Sequence, residues 1–216
     1  MSNRSKKILR YSLLILLVIF LVTIRFVEDI GFDKKPDDRF TISKVIDGDT
    51  AELLGGDKLR LLSIDTPEKG DLFFGEAKDF LSDLTLGKTA KIEYAQTRRD
   101  RYGRLLGYLY VDSTFVNKLI LENGLGYLYL FKDTEINRDE TKLLLKAQQL
   151  AIDSKIGIWS IKKESEKYYV NTEGSFRLHR PGCRSLRNLR EGHYRKFAIR
   201  EEAFKEGLSP CRNCQP

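Results

Sequence analysis

The sequence has 216 residues and a mass of 25.0 kDa, enough for one ordinary domain with attachments and too few for two full-sized domains. Hydrophobic residues make up 41% of it, which excludes a mainly disordered chain. The net charge of +7 lies at the two ends, since residues 36–170 hold 21 basic and 23 acidic side chains. Bulk charge therefore gives no argument that the middle of the chain binds nucleic acid.

An uncharged, Leu-, Ile- and Val-rich run over residues 11–24 follows a basic N-terminus. Fourteen helical residues rise about 21 Å against a hydrocarbon core of about 30 Å, so a membrane span needs residues 8–27. No small-residue cleavage site follows, which favours an uncleaved anchor over a signal peptide of a secreted protein. The flanking charges predict a single-pass protein of the cell membrane with its remainder outside the cytoplasm. We assign 1–30 to this anchor and 31–39 to a linker.

Five short strands are predicted in the region that follows. The first three form a meander, with the Asp47-Gly48 turn between the first two, and two more strands follow a helix. The predicted strands are residues 40–46, 50–54, 58–64, 89–95 and 104–111.

Three helices are predicted around these strands. The first covers residues 75–84, with Ala77, Phe80, Leu81 and Leu84 on one stripe. Ser113 or Thr114 can cap a second helix that runs to Asn123. Asn137 and Glu140 can form the capping box of a third, whose apolar stripe is Leu143, Ala147, Leu150 and Ala151. Five strands and about three helices predict an α+β fold built on a five-stranded β-barrel of the oligonucleotide-binding (OB) type, within a domain covering 40–162.

Acidic side chains lie at the strand ends of the meander. Asp49 opens the second strand, Asp65 ends the third and Glu68 follows it. Each cluster alone is typical of an ordinary turn. Together they can converge into a site of carboxylate and carbonyl oxygens, which suits Ca²⁺, and the absence of neighbouring His or Cys argues against zinc there.

Two arginines accompany these carboxylates. Arg60 interrupts the apolar run Leu59–Leu62, where a buried charge needs a partner. Arg104 opens the fifth strand and, taken alone, is typical of a solvated turn. Two guanidinium groups beside a metal can bind the oxygens of a phosphate.

Residues 45–50, 60–68 and 100–104 resemble the three signature segments of the staphylococcal nuclease (thermonuclease) family, within a similarity that runs from about Phe40 to Ser160. The resemblance implies Ca²⁺ bound by Asp49, Asp65 and the Thr66 carbonyl. It places Glu68 beside the attacking water, as general base or water-positioning group, and Arg60 and Arg104 on the phosphate. The implied reaction is hydrolysis of DNA and RNA to 3′-phosphate ends.

Three further residues are candidates for substrate binding under this resemblance: Arg101, Tyr127 and Tyr129. The tyrosines resemble the family's base-stacking residues, although the spacing between them differs. Alternating residues at a barrel edge are the other interpretation. The segment 69–74 is also shorter than the family's mobile loop, which affects substrate access.

The basic C-terminal segment holds all three cysteines and both histidines. His179, Cys183, Cys211 and Cys214 have the spacing of a structural Zn²⁺ site. Residues 170–216 thus resemble the small zinc domain of DNA-alkylation repair (Ada-like) proteins. The alternatives are a Cys211–Cys214 disulfide, or His193 in place of His179.

Three functions remain open on this reasoning. The first is a membrane-anchored nuclease acting on DNA and RNA. The second is a non-catalytic scaffold that binds nucleic acid or protein through a nuclease-like barrel, although such scaffolds typically lose the acidic and arginine positions. The third is a zinc-stabilised interaction protein. No particular protein partner can be inferred.

Overall fold

The computed structural model describes residues 15–23, 39–131, 139–187 and 192–216. They belong to two compact units, Met1–Asp38 and Arg39–Pro216. In the first unit residues 15–23 are helical, and the side chains of 15–22 are 53–65% exposed. Among the described residues, no helix combines the length and apolarity needed to cross a membrane. Residues 8–14 and 24–27 of the predicted anchor, and 31–38 of the predicted linker, lie outside the described ranges, so the anchor stays a prediction.

Five strands close into a barrel in the second unit. The barrel strands are β1 (Arg39–Val45), β2 (Thr50–Leu53), β3 (Lys58–Leu61), β5 (Thr89–Arg99) and β6 (Leu105–Val111). Antiparallel pairing joins β3 to β2, β2 to β1, β1 to β5 and β5 to β6, and a parallel pairing of β3 with β6 closes the ring. The predicted α+β fold with a five-stranded barrel is confirmed.

The predicted third strand, 58–64, is wrong at its end because the chain bends after Leu61. Ser63 adopts a positive φ of 58°, and its hydroxyl lies 3.1 Å from the Tyr108 hydroxyl. The buried Asn117 amide donates to the Leu62 carbonyl at 2.9 Å. Beyond the bend, β4 (Ile64–Asp65) pairs with β8 (Tyr127–Leu128), so Asp65 leaves the barrel wall.

Three helices cover the barrel: α1 (Phe74–Thr85), α2 (Val116–Glu122) and α3 (Asp139–Ser154). Helix α1 buries Ala77 and Leu81, as its predicted stripe requires. The predicted cap of α2 is wrong. Thr114 and Phe115 instead form β7 (Thr114–Phe115) beside β6, and α2 starts with Phe115 as an N-cap that makes no side-chain bond.

The predicted apolar stripe of α3 is rotated in the structure. Leu143 and Leu150 are 46% and 51% exposed, whereas the inward face carries Leu144, Ala147, Gln148 and Ala151. Hydrophobicity alone could not indicate this face, because it includes a polar residue that is fully buried. Asn137, half of the predicted capping box, lies outside the described residues.

The C-terminal region adds a small four-stranded sheet and a short helix α4 (Arg200–Lys205). Its strands are β9 (Tyr169–Thr172), β10 (Arg177–His179), β11 (Tyr194–Phe197) and β12 (Ser209–Pro210), and they lie in the order β11-β9-β10-β12. Phe204 and Leu208 of this region pack in one hydrophobic cluster with Ala151 and Trp159 of the barrel region. The barrel and the C-terminal region therefore share core residues within one compact unit.

Candidate active site and metal centre

The carboxylate of Asp49 is fixed on both oxygens. Its own backbone N–H donates to Asp47 Oδ1 at 3.1 Å, which makes the tight turn that the Asp-Gly-Asp sequence predicts. Oδ1 accepts from the Thr50 hydroxyl at 3.0 Å, and Oδ2 accepts from the Thr66 N–H at 3.0 Å. Asp49 thereby ties the start of β2 to the segment that follows β4.

Gly48 allows this turn to lie against helix α1. A Cβ at this position would be 2.6 Å from the Ala77 Cβ and 2.8 Å from the Thr66 hydroxyl oxygen. Such distances are too short for any real Cβ atom, so a side chain would displace the turn that carries Asp49.

Arg60 bridges the two carboxylates. Its Nη2 lies 3.0 Å from Asp49 Oδ2 and 3.1 Å from Asp65 Oδ1, and its Nη1 donates to the Leu61 carbonyl at 2.8 Å. The three charged side chains are only 9–15% exposed. The buried charge predicted for Arg60 thus has two partners, and Asp49, Arg60 and Asp65 converge as predicted.

The pKa of Asp49 is raised to about 6. Burial is the largest cause, the charge of Arg60 opposes it, and the negative charges of Asp47 and Asp65 contribute to the rise. Asp49 is therefore costly to ionise, and Asp65 carries a second carboxylate beside it. A bound cation would favour the ionised form of both. The Asp49 and Asp65 carboxylates and the Thr66 carbonyl supply only oxygen donors, which fits a hard cation such as Ca²⁺.

A cavity of about 590 Å³ adjoins this network. Asp65, Thr66 and Glu68 line it on the barrel side. Glu68 is exposed, and its backbone N–H donates to Asp71 Oδ2 at 3.1 Å. Glu68 therefore lines the cavity beside Asp65, and its role beside the attacking water stays a prediction.

Arg104 lies directly before β6, where Leu105 stands beside Leu59 of β3. Its Nε and Nη2 both lie 2.8 Å from Asp100 Oδ2, so a carboxylate orients its guanidinium. Among the described contacts, those of Arg104 lie within the turn from Asp100 to Arg104, and none joins Arg104 to the Asp49–Arg60–Asp65 network. Arg101 is exposed and donates to the Tyr102 hydroxyl at 2.7 Å.

The two predicted stacking tyrosines are packed against other side chains. The Tyr127 ring lies 5.1 Å from Trp159 and 5.7 Å from Phe204, and burial raises its pKa to about 12. The Arg177 guanidinium lies 3.6 Å from the centre of the Tyr129 ring. That face of Tyr129 is therefore covered by an arginine, and base stacking on either ring stays a prediction.

A second cluster lies in the C-terminal region, where ligand atoms of His179, Cys183, Cys211 and Cys214 all fall within 4.8 Å of one another. Burial lowers the pKa of His179, and its buried Nδ1 has no hydrogen-bond partner. The Arg180 N–H donates to Cys214 Sγ at 3.3 Å. Three of these four donors are cysteine sulfurs and the fourth is an imidazole nitrogen, a donor set that suits a tetrahedral metal ion.

The structure decides between the alternatives for these residues. All three cysteines are described, and all are free, so the Cys211–Cys214 disulfide is not formed. His193 is exposed and pairs with Glu173 at 2.8 Å, away from the cysteines. The cluster therefore contains His179, as first predicted.

One residue at the carboxylate site has no sequence signal. Arg212, between two cysteines of the C-terminal cluster, places its Nη2 2.6 Å from Asp65 Oδ1. The two residues are 147 positions apart, and no spacing rule connects them. The sequence therefore offered no reason to place Arg212 beside Asp65.

Comparison with known proteins gives a consistent result. Residues 58–161 match the family described as staphylococcal nuclease homologue. An uncharacterized endonuclease of Escherichia coli O157:H7 is 36% identical over 123 residues, covering 55% of this chain and 75% of that protein. A micrococcal nuclease of Shigella flexneri is 29% identical over 57% of this chain and 75% of its own length. A thermonuclease of Staphylococcus hyicus is 26% identical over 72% of this chain and 99% of its own length.

The family match and these relatives identify a hydrolytic nuclease, a phosphodiesterase, and the Asp49–Arg60–Asp65 network lies on the barrel of its family domain. The chain belongs to the staphylococcal nuclease homologue family.

Proposed function

We propose that this chain is a Ca²⁺-dependent endonuclease that hydrolyses DNA and RNA to 3′-phosphate ends. One observation carries the proposal: Arg60 lies 3.0 Å from Asp49 and 3.1 Å from Asp65, beside a cavity that Glu68 lines. Asp65 and Glu68 line this cavity, and Arg60 and Asp49 join it through Asp65. Paired carboxylates, an arginine and a further carboxylate are the groups that metal-assisted phosphodiester hydrolysis needs.

The carboxylates of Asp49 and Asp65 and the carbonyl of Thr66 would hold the calcium ion. When bound, the ion supplies polarisation of a phosphoryl oxygen and neutralisation of negative charge. Arg60 holds the two carboxylates in place through its Nη2. Its fork of donors can also turn to a phosphate oxygen as charge grows there.

Glu68 accepts a proton from the attacking water, or orients that water, at the open end of the cavity. The oxygen of that water forms a new bond to phosphorus while the bond between phosphorus and the 5′-oxygen breaks. The 5′-oxygen takes a proton from solvent, and the phosphate remains on the 3′ side. Arg104, oriented by Asp100, stabilises the added negative charge after a movement of its side chain towards the phosphate.

Cleavage of end-labelled DNA and RNA oligonucleotides by the full chain in detergent tests this proposal. With Ca²⁺ we expect products that carry 3′-phosphate and 5′-hydroxyl groups in mass spectra. Products with 5′-phosphate ends would contradict the proposed bond cleavage, and intact oligonucleotides would support the non-catalytic scaffold.

We further propose that His179, Cys183, Cys211 and Cys214 bind one structural Zn²⁺ ion. The unpartnered Nδ1 of His179 and the N–H···S bond to Cys214 support a metal among these atoms. Metal analysis of the purified protein should find about one zinc per chain. A metal-free protein with unchanged thermal stability would refute the site.

For localisation, we propose a single-pass anchor through residues 8–27, with the nuclease outside the cytoplasm. The exposed apolar helix over residues 15–23 and the basic residues before it support this proposal. Protease added to intact cells should digest the nuclease. A nuclease protected until the cells are lysed would contradict the orientation.

A further inference from the structure

The turn between Cys211 and Cys214 reaches the carboxylate site. Arg212 extends from it, and its Nη2 lies 2.6 Å from Asp65 Oδ1, the same oxygen that Arg60 contacts at 3.1 Å. Asp65 therefore lies between an arginine of the barrel and an arginine of the C-terminal region. The Arg212 guanidinium also lies 5.3 Å from the centre of the Tyr129 ring.

Backbone bonds hold this turn in position. The N–H groups of Ser209 and Cys211 donate to the carbonyls of Phe176 and Leu178, both at 2.9 Å. Buried Phe204 packs the same region onto the barrel, where its carbonyl accepts from the Gln148 amide at 2.7 Å. Arg212 is thus presented by a fixed element and not by a loose tail.

The cavity beside the carboxylates has walls of opposite charge. Asp65, Glu68 and Asp71 line one side, and Lys163 and Arg212 contribute positive charge from the C-terminal side. The Arg212 side chain is 61% exposed, and the described contacts use only one of its two terminal nitrogens for Asp65. Its remaining donors are available to a ligand.

We propose that Arg212 is a substrate-binding residue of the nuclease, which contacts a phosphate next to the one that is cleaved, and that the C-terminal region forms one wall of the substrate cleft. This inference rests on the proposed nuclease function. A guanidinium that is fixed at one nitrogen and free at the others is well arranged to bind a phosphate.

Binding of a fluorescent single-stranded DNA oligonucleotide to the full chain, at saturating Ca²⁺, tests the proposal. Glu68→Gln is present in every variant so that the probe stays intact. Arg212→Ala should raise the Kd for DNA about tenfold, because it removes one charge-assisted hydrogen bond to phosphate. The slope of log Kd against log salt concentration should become shallower by about 0.7, the value for one lost phosphate contact on a single strand.

Two variants serve as controls. Arg212→Lys keeps the charge, and we expect it to keep the salt slope. Arg195→Ala removes an arginine of the same region with similar exposure, 62%, that pairs with Glu206, and we expect it to change neither quantity. Superimposable thermal unfolding curves establish that the variants are folded.

The outcomes separate this inference from the nuclease proposal. An Arg212→Ala protein with unchanged Kd and slope would overturn the inference, and one that binds more tightly would identify Arg212 as an inhibitory contact with Asp65. Neither result bears on whether the unmodified chain hydrolyses DNA, which is measured separately. Failure of that hydrolysis would instead refute the proposed function.

Discussion

Arg60 is the residue on which the geometry of the site depends. It is mostly buried, in a strand whose neighbours Leu59 and Leu61 fill the barrel core, and it links the carboxylates of Asp49 and Asp65. A charge in that position is costly unless it is paired, and here the pairing also fixes two candidate metal ligands. Structure and chemistry therefore depend on the same guanidinium.

Replacement of Arg60 by lysine tests the role of the paired N–H donors of its guanidinium group. Lys retains the charge but cannot bind two groups in one plane, so we expect kcat to fall by about 10²–10³. Calcium affinity should change much less, because the carboxylates keep a positive neighbour. Rates at saturating Ca²⁺ and calcium binding by calorimetry measure the two effects.

Arg99→Lys is the matched control, since Arg99 makes a two-nitrogen contact with Asp57 on the exposed surface at 2.9 and 3.0 Å. It should retain full activity. An Arg60→Lys protein with a rate equal to that of this control would show that Arg60 has a purely structural role.

The sequence predicted the residues at the barrel side of the site and missed the one on the other side. Asp49 and Arg60 could be found because the pairing of β2 with β3 places Thr50 opposite Arg60, and Asp65 could be found because it follows the same strand closely, although β8 and not the meander fixes its position. Arg212 could not be found. Its contact with Asp65 depends on how the C-terminal region packs, which no local pattern encodes.

At the scale of elements, the turn from Asp47 to Asp49 is held between strand β2 and helix α1. Gly48 makes this possible, because a Cβ there would overlap Ala77 of the helix and the Thr66 side chain. The position of the candidate metal site therefore depends on how closely a turn approaches a helix.

Gly48→Ala should displace this turn. We expect a destabilisation of about 1–3 kcal/mol in urea denaturation, the usual cost of overpacking, and a weaker affinity for calcium.

Gly75→Ala is the control, because a Cβ there meets nothing within 4 Å and the residue lies in helix α1. It should be neutral or slightly stabilising. Equal stability and equal calcium affinity of the two alanine variants would contradict the packing argument.

Local sequence patterns predicted which strands and helices form better than they predicted where these elements end or which face is buried. The five barrel strands and three covering helices follow from periodicity and turn residues. The bend at Ser63 does not, because it is held by Tyr108 and Asn117 from distant parts of the chain. The inward face of α3 was misjudged because Gln148 is buried there for its hydrogen bonds.

At the scale of the whole chain, Gln148 explains why the C-terminal region belongs to the same compact unit as the barrel. It is fully buried, accepts from the Leu128 N–H at 2.7 Å and donates to the Phe204 carbonyl at 2.7 Å. Leu128 lies in β8, beside β4 that carries Asp65. One side chain therefore connects the C-terminal region to the strand pair at the candidate active site.

The composition suggested two separate modules, 40–162 and 170–216, because the cysteines and basic residues are concentrated at the end of the chain. Sequence could not show that Trp159 and Phe204 share one hydrophobic cluster, since nothing local relates them. This shared cluster is the reason that the cysteine turn lies close enough to Asp65 for the Arg212 contact.

The Asp49–Arg60–Asp65 network is the proposed binding site of the calcium ion on which hydrolysis depends. The most direct measurement is the initial rate of single-stranded DNA cleavage as a function of free Ca²⁺, for the unmodified chain, Asp65→Asn and the surface control Asp57→Asn. We predict a rate that saturates with Ca²⁺ and vanishes with a calcium chelator, a midpoint at least about tenfold higher for Asp65→Asn, and no change for Asp57→Asn. Full activity in the chelator, or the same calcium midpoint for all three proteins, would contradict calcium binding by this network.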